Sequence, residues 1–282
     1  MEKKYELTDE TIEFDGKTLH RIRALRDFSD VKKGDLGGFV EHEGNLSHEG
    51  NCWIWYKACV FGDARVYGNA QVYDEAKISD NAHVYESACV FDEAHVYGRA
   101  EIYGEAKVYG HAEVYGRADV YDCARVFDKA RVYGKAEVYG NAQVYDEAKV
   151  LENAEVYGYA RVSDKAEVYG NAKVKDGDVH DSARIYGDAK IYDHAHVYGK
   201  ACISHNAEIY GYAKVYGDAV VFGNAHVHGR AKVFGEACVY DEARVYDNAE
   251  IYGEARVYGD AEVYRSAHVD GYNAISTGEK TR

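Results

Sequence analysis

From Ile54 onward the chain repeats one short pattern: a small apolar residue, a polar one, a branched apolar one, an aromatic one, then two turn formers. Ala106-Lys107-Val108-Tyr109-Gly110-His111 shows the unit. Stepping by six from Ile54 meets only Val or Ile as far as Val174, and after one five-residue step to Val179 the sixes resume to Val269. Of these 37 positions, 35 have Ala two residues earlier, Cys52 and Gly177 being the exceptions. Alternation of inward and outward residues is strand periodicity, with Ala and Val sharing a face. Apolar residues six apart make no stripe on a helix of period 3.6, so helix is excluded. Gly or Asp after the aromatic residue, followed by a polar residue, supplies the chemistry of a tight corner. Very short strands joined by corners of constant length predict a parallel β-solenoid that stacks like residues into ladders.

An aliphatic residue followed four positions later by a small one, as Val108 is by Ala112, resembles the hexapeptide-repeat proteins. That resemblance covers nearly everything after residue 50 and implies a left-handed parallel β-helix with triangular coils of three hexapeptides.

The residues themselves favour a smaller coil. Among outward residues between positions 101 and 173, a separation of 12 places five opposite-charge pairs against four like pairs, including Lys107 with Asp119 and Glu113 with Arg125; a separation of 18 gives three against five. Like charges opposed on a sheet cost roughly 0.2 to 1 kcal/mol. Up to Val174, the aromatic slot is occupied by something other than Tyr or Trp at Phe61, Ser79, Phe91, Phe127, Leu151, Ser163 and Lys175, and six of these seven fall on alternate hexapeptides. Both counts favour 12-residue coils of two strands over 18-residue triangular coils.

Residues 1–50 lack the repeat and read as a small N-terminal cap, needed because the first coil otherwise exposes unpaired backbone and apolar side chains. Thr11-Ile12-Glu13-Phe14, joined through Asp15-Gly16 to Leu19-His20-Arg21-Ile22, predicts a hairpin. The run from Phe28 through Gly34-Asp35-Leu36-Gly37-Gly38-Phe39-Val40, then Asn45-Leu46-Ser47 and Gly50-Asn51-Cys52-Trp53-Ile54, resembles the opening of YdcK-like bacterial proteins and related phage-borne proteins, often labelled acetyltransferases. The array is expected to span 51–270, with a polar tail over 271–282 that leaves an edge for end-to-end or edge-to-edge self-association.

A net charge of -15 argues against nucleic acid or an anionic membrane as partner. Six cysteines without a CxxC pair, and no apolar run of membrane-spanning length, point to free thiols and the cytoplasm. No catalytic, cofactor-binding or metal-ligating set is expected. The sharpest enzymatic alternative is acyl transfer from acetyl-coenzyme A with a His as general base. The array, however, has no insertion to build an acceptor pocket, and His83, His95, His111, His194, His196, His226 and His268 all occupy outward or turn slots. His83 and His95, 12 apart, would stack in a two-strand coil. The distinctive surface is the aromatic slot, Tyr in 23 of 37 repeats and Phe in five more. Its candidate ladder residues are Tyr97, Tyr103, Tyr109, Tyr115, Tyr121, Tyr133, Tyr139 and Tyr145, which would stabilise a thin core, bind glycan or another chain, or pass charge. The expected function is a non-enzymatic elongated scaffold or binding rod. The short step at Val174–Val179 predicts a kink or shifted ladders, with no role attached.

Overall fold

The computed structural model describes residues 2–280, with the side chains of 279 and 280 left aside. Residues 1–140 and 141–282 form two compact units. Each is an all-β run of the same parallel coil, and the described residues include no α-helix, only one 3-10 turn at Glu43–Asn45.

In both units a strand pairs with the strand three hexapeptides later, which corrects the two-strand expectation. Cys89 faces Lys107, His95 faces Glu113 and Glu101 faces Asp119, each 18 residues apart. In the second unit His196 faces Lys214, Cys202 faces Val220 and Glu208 faces His226 at the same separation. The coil therefore has three faces. We number them in chain order: the first carries Trp53–Ile54, the second Cys59–Val60, the third Arg65–Val66. Opposed like charges are accepted on these faces, as in Lys107 with Arg125 and Asp119 with Glu137. Surface pairs worth a fraction of a kcal/mol do not decide a register that the closed core and the corners impose.

The inward residues make that core. Every Val and Ile of the 37 slots is fully buried, as is every Ala two residues earlier. Each corner is a single residue in the left-handed region, Gly at 98, 104 and 110 and Asp at 74, 80 and 92, among others. A Cβ on Gly104 would lie 2.7 Å from the Asp122 amide nitrogen of the next coil. Aspartate turns that crowding to use. Its carboxylate accepts from the same amide, as from Gly98 N to Asp80 Oδ2 (2.9 Å), Gly110 N to Asp92 Oδ2 (3.0 Å) and Gly199 N to Asp181 Oδ2 (2.9 Å). Gly supplies the backbone freedom at one coil, Asp a cap for the next.

The N-terminal hairpin forms as expected. Strands β1 (Tyr5–Phe14) and β2 (Lys17–Ala24) are antiparallel, with Phe14 opposite Lys17 and Ile12 opposite Leu19 around Asp15 and Gly16, both at positive φ. Strand β3 (Leu36–Val40) pairs antiparallel with β2 and, on its other edge, parallel with Cys59–Val60. It thus converts a hairpin sheet into the second face. The Gly37-Gly38 pair permits this approach, because a Cβ on Gly38 would meet Ala58 O at 2.5 Å. Leu46 bridges to Val66 on the third face, and the buried Asn45 side chain donates to Gly62 O and Ala64 O, both at 2.9 Å.

Lys4 is buried beneath this region, its Nζ donating to Cys52 O at 2.9 Å and to Cys52 Sγ at 3.1 Å. Burial lowers the ammonium pKa and raises that of the thiol. At the other end Ala274–Ile275 still pairs with Arg256–Val257, so the coil continues past the last regular repeat.

The short step is absorbed in one coil. Arg161 faces Asp178 across 17 residues instead of 18. The third-face pairing extends to Tyr157 with Lys175, and the corner still turns at Asp176, at positive φ. The ladders do not slip there: Tyr169 and Tyr186, 17 apart, stack at 5.0 Å.

Candidate functional site: the stacked corners

The residue after each inward Val or Ile stands at a corner, so an 18-residue coil produces three columns of rings. The eight candidate tyrosines accordingly divide among three ladders. Tyr97, Tyr115 and Tyr133 share the second-face corner with centroids 4.7 and 4.8 Å apart. Tyr103, Tyr121 and Tyr139 share the third, at 4.9 Å for both steps. Tyr109 stands at the first, between Phe91 (4.7 Å) and Phe127 (4.9 Å). Tyr145 belongs to the second unit, at its first-face corner. Interplanar angles in these stacks are at most 6°, so the rings lie face over face at the spacing of the strands beneath them.

Many ring hydroxyls are tied to the strands. Tyr85 donates to Glu101 at 2.8 Å, Tyr121 to Glu137 at 3.0 Å and Tyr192 to Glu208 at 2.9 Å, in each case from a ring to the carboxylate 16 residues later. Burial, reinforced by these carboxylates, raises the phenols, Tyr97 to about 12. The same geometry softens a run of like charge. Glu101, Asp119 and Glu137 follow one another on the third face, and burial together with the two flanking carboxylates pushes the Asp119 carboxyl up to about 6.

The histidines are dispersed. His83 and His95 do not meet: His83 lies between Arg65 and Glu101 on the third face, His95 between Lys77 and Glu113 on the second. Others stand near the carboxylate one coil earlier, His111 near Glu93 (3.5 Å), His196 near Asp178 (3.4 Å) and His268 near Glu250 (3.5 Å). His48 borders a recess of about 420 Å³ with Glu43, Arg65, Tyr67 and His83. Its imidazole is engaged structurally, stacked on Tyr5 at 4.5 Å with Nδ1 accepting from the Lys4 amide at 3.2 Å.

Three corners lack a ring and hold a buried serine: Ser79, Ser163 and Ser204. Each has a histidine close by. His95 Nε2 lies 3.3 Å from Ser79 Oγ, and His205 Nδ1 lies 3.1 Å from Ser204 Oγ. Beside Ser163 the next rung of the ladder is itself a histidine, His180, stacked on Tyr198 at 5.0 Å. Sequence reasoning registered Ser79 and Ser163 as gaps in the Tyr pattern. The imidazole neighbours of these two become visible only once the coil length is known, since His95 follows Ser79 by 16 residues and His180 follows Ser163 by 17, whereas His205 directly follows Ser204.

Coil, corners and ladders together define a parallel β-solenoid repeat protein. Residues 213–229 match the YdcK Beta solenoid repeat family, and the parallel coil of the fold is consistent with that similarity. A comparison with the curated proteins finds no match. No helix among the described residues is long and apolar enough to cross a membrane.

Proposed function

We propose that this protein is a non-enzymatic scaffold, a capped β-solenoid whose corner rings stiffen a thin Ala and Val core while its three charged faces remain available to a partner. In this reading residues 1–50 are the cap and 51–270 the array. The observation that carries it is the way the ladder hydroxyls and rings are spent on neighbouring coils. Tyr85, Tyr121 and Tyr192 give their hydroxyls to the next coil, and their rings stack on rings above or below. Offset aromatic contacts of this kind contribute about 0.5 to 1.5 kcal/mol each. They stabilise a core of residues too small to do so alone.

The acyltransferase alternative needs a pocket beside a free general base. Support for it is thin, because two turn residues make each regular corner and most outward histidines stand beside a carboxylate of the preceding coil. Calorimetric titration of the full chain with acetyl-coenzyme A tests the reading. No saturable heat and no change in melting temperature are expected, and saturable binding with acyl transfer to any amine or hydroxyl acceptor would replace the scaffold by an enzyme.

A further inference from the structure

We infer that the recess where Ser163 interrupts the first-face ladder of the second unit is a site for one divalent first-row transition-metal ion, held by Asp164, His180 and Asp181. At this corner the column reads Tyr145, Ser163, His180, Tyr198. Substituting serine for a ring leaves a recess of about 250 Å³, bordered by Tyr145, Arg161, Ser163, Asp164, Asp178 and His180. Asp164 and His180 border it, and Asp181 follows His180 in the chain. One from each of Asp164, His180 and Asp181 lies within 4.8 Å of the other two, the group of this kind found among the described residues.

The other two serine corners serve as internal controls. At Ser79 and Ser204 the neighbouring imidazole turns toward the hydroxyl, within 3.3 and 3.1 Å. At Ser163 the hydroxyl bonds instead to Asp164 Oδ2 at 3.2 Å, and His180 Nδ1 stands 3.6 Å from Asp181 Oδ1. That gap is long for a hydrogen bond. It is close to the separation of two ligands on one ion, since bonds of about 2.1 Å place neighbouring ligands roughly 3 to 3.5 Å apart.

The carboxylates are also held in place from behind. Asp164 Oδ2 accepts from the Asp181 amide at 3.3 Å, and Asp181 Oδ2 from the Gly199 amide at 2.9 Å. Each keeps its other oxygen for a ligand, the kind of outer-shell support that orients metal-binding groups. Arg161 is the cation nearest the recess, and its register partner Asp178 offsets its charge. One imidazole nitrogen with two carboxylate oxygens suits zinc, cobalt or nickel rather than calcium or magnesium, which prefer all-oxygen sites. Both aspartates are exposed, so water completes the coordination. The short step participates directly. By removing one residue between Ser163 and His180 while keeping the corners aligned, it brings a His-Asp pair over a Ser-Asp pair.

The test is a titration of the chelator-treated full chain, free of any affinity tag, with Co²⁺ followed by its visible absorption and with Zn²⁺ followed by calorimetry. One equivalent of ion is expected to bind with nitrogen and oxygen coordination. His180→Tyr restores the residue type that fills this slot elsewhere. It should weaken binding by more than about tenfold, as should Asp164→Asn, whereas His196→Gln should leave it unchanged. The folded fraction of each variant is read from its melting curve. Absence of stoichiometric binding by the native chain, or unchanged affinity in folded His180→Tyr, overturns the assignment.

Discussion

The third-face ladder of the first unit and the first-face ladder of the second use the same slot of the same repeat in opposite ways. The first runs Tyr67, Tyr85, Tyr103, Tyr121, Tyr139 without a break, at centroid separations of 4.8 to 5.0 Å. In the second, Ser163 follows Tyr145 and leaves a gap before the rings resume at His180, Tyr198, Tyr216 and Phe234. Where the column is unbroken, each ring is a structural member supported on both sides. Where it is broken, space and polar atoms appear together. Candidate chemistry in this repeat therefore lies at departures from the pattern.

Substitutions can probe that contrast, and the core sets the upper scale. Ile102→Ala, beneath the intact ladder, should cost about 2 to 5 kcal/mol in chemical denaturation, since the fully buried side chain leaves a cavity between invariant neighbours. Tyr103→Ala removes two ring contacts and should cost about 1 to 3 kcal/mol. His180→Ala removes one and should cost about half as much; equal losses would show that the broken column is as structural as the intact one. Next in size, Tyr121→Phe keeps the stacking but deletes the hydroxyl bond to Glu137, for about 0.5 to 1.5 kcal/mol.

The smallest effect concerns pH. Asp119 has a folded-state pKa near 6, above its unfolded value, so protonation favours the folded state. Its contribution is fully present below the unfolded value of about 4 and is lost as pH rises through 6. Melting temperatures across that window should fall with rising pH, and Asp119→Asn should flatten this part of the profile. A slope unchanged by Asp119→Asn would place the proton elsewhere.

The repeat, its inward residues and the hairpin were legible in the sequence because each depends on local periodicity or turn chemistry. Coil length was not, and the reason is physical. Inward slots carry Ala and Val or Ile in nearly every hexapeptide, so the core looks alike at separations of 6, 12 and 18. Only outward residues distinguish these, and their charge pairs are weak enough to be overruled. The ring exceptions misled for a related reason. In the first unit Phe61 and Ser79 fall at the second-face corner and Phe91 and Phe127 at the first, while the third keeps Tyr; in the second unit Leu151 falls at the second-face corner, Ser163 at the first and Lys175 at the third. Two variable corners out of three imitated an alternation. The convergence of Asp164 with the His180-Asp181 pair was hidden by the same ambiguity, since Asp164 and Asp181 are neighbours only in a coil with three faces and one missing turn residue.

The corner aspartates also carry a direction. Asp80, Asp92 and Asp181 each hold the amide of a residue 18 positions further along the chain. During synthesis, then, a coil emerging next to such an aspartate meets a carboxylate already fixed in the coil before it. The partner is always near in sequence, which favours fast, sequential growth over a search among distant segments. Assembly can thus keep pace with the ribosome, each finished coil serving as the template for the next.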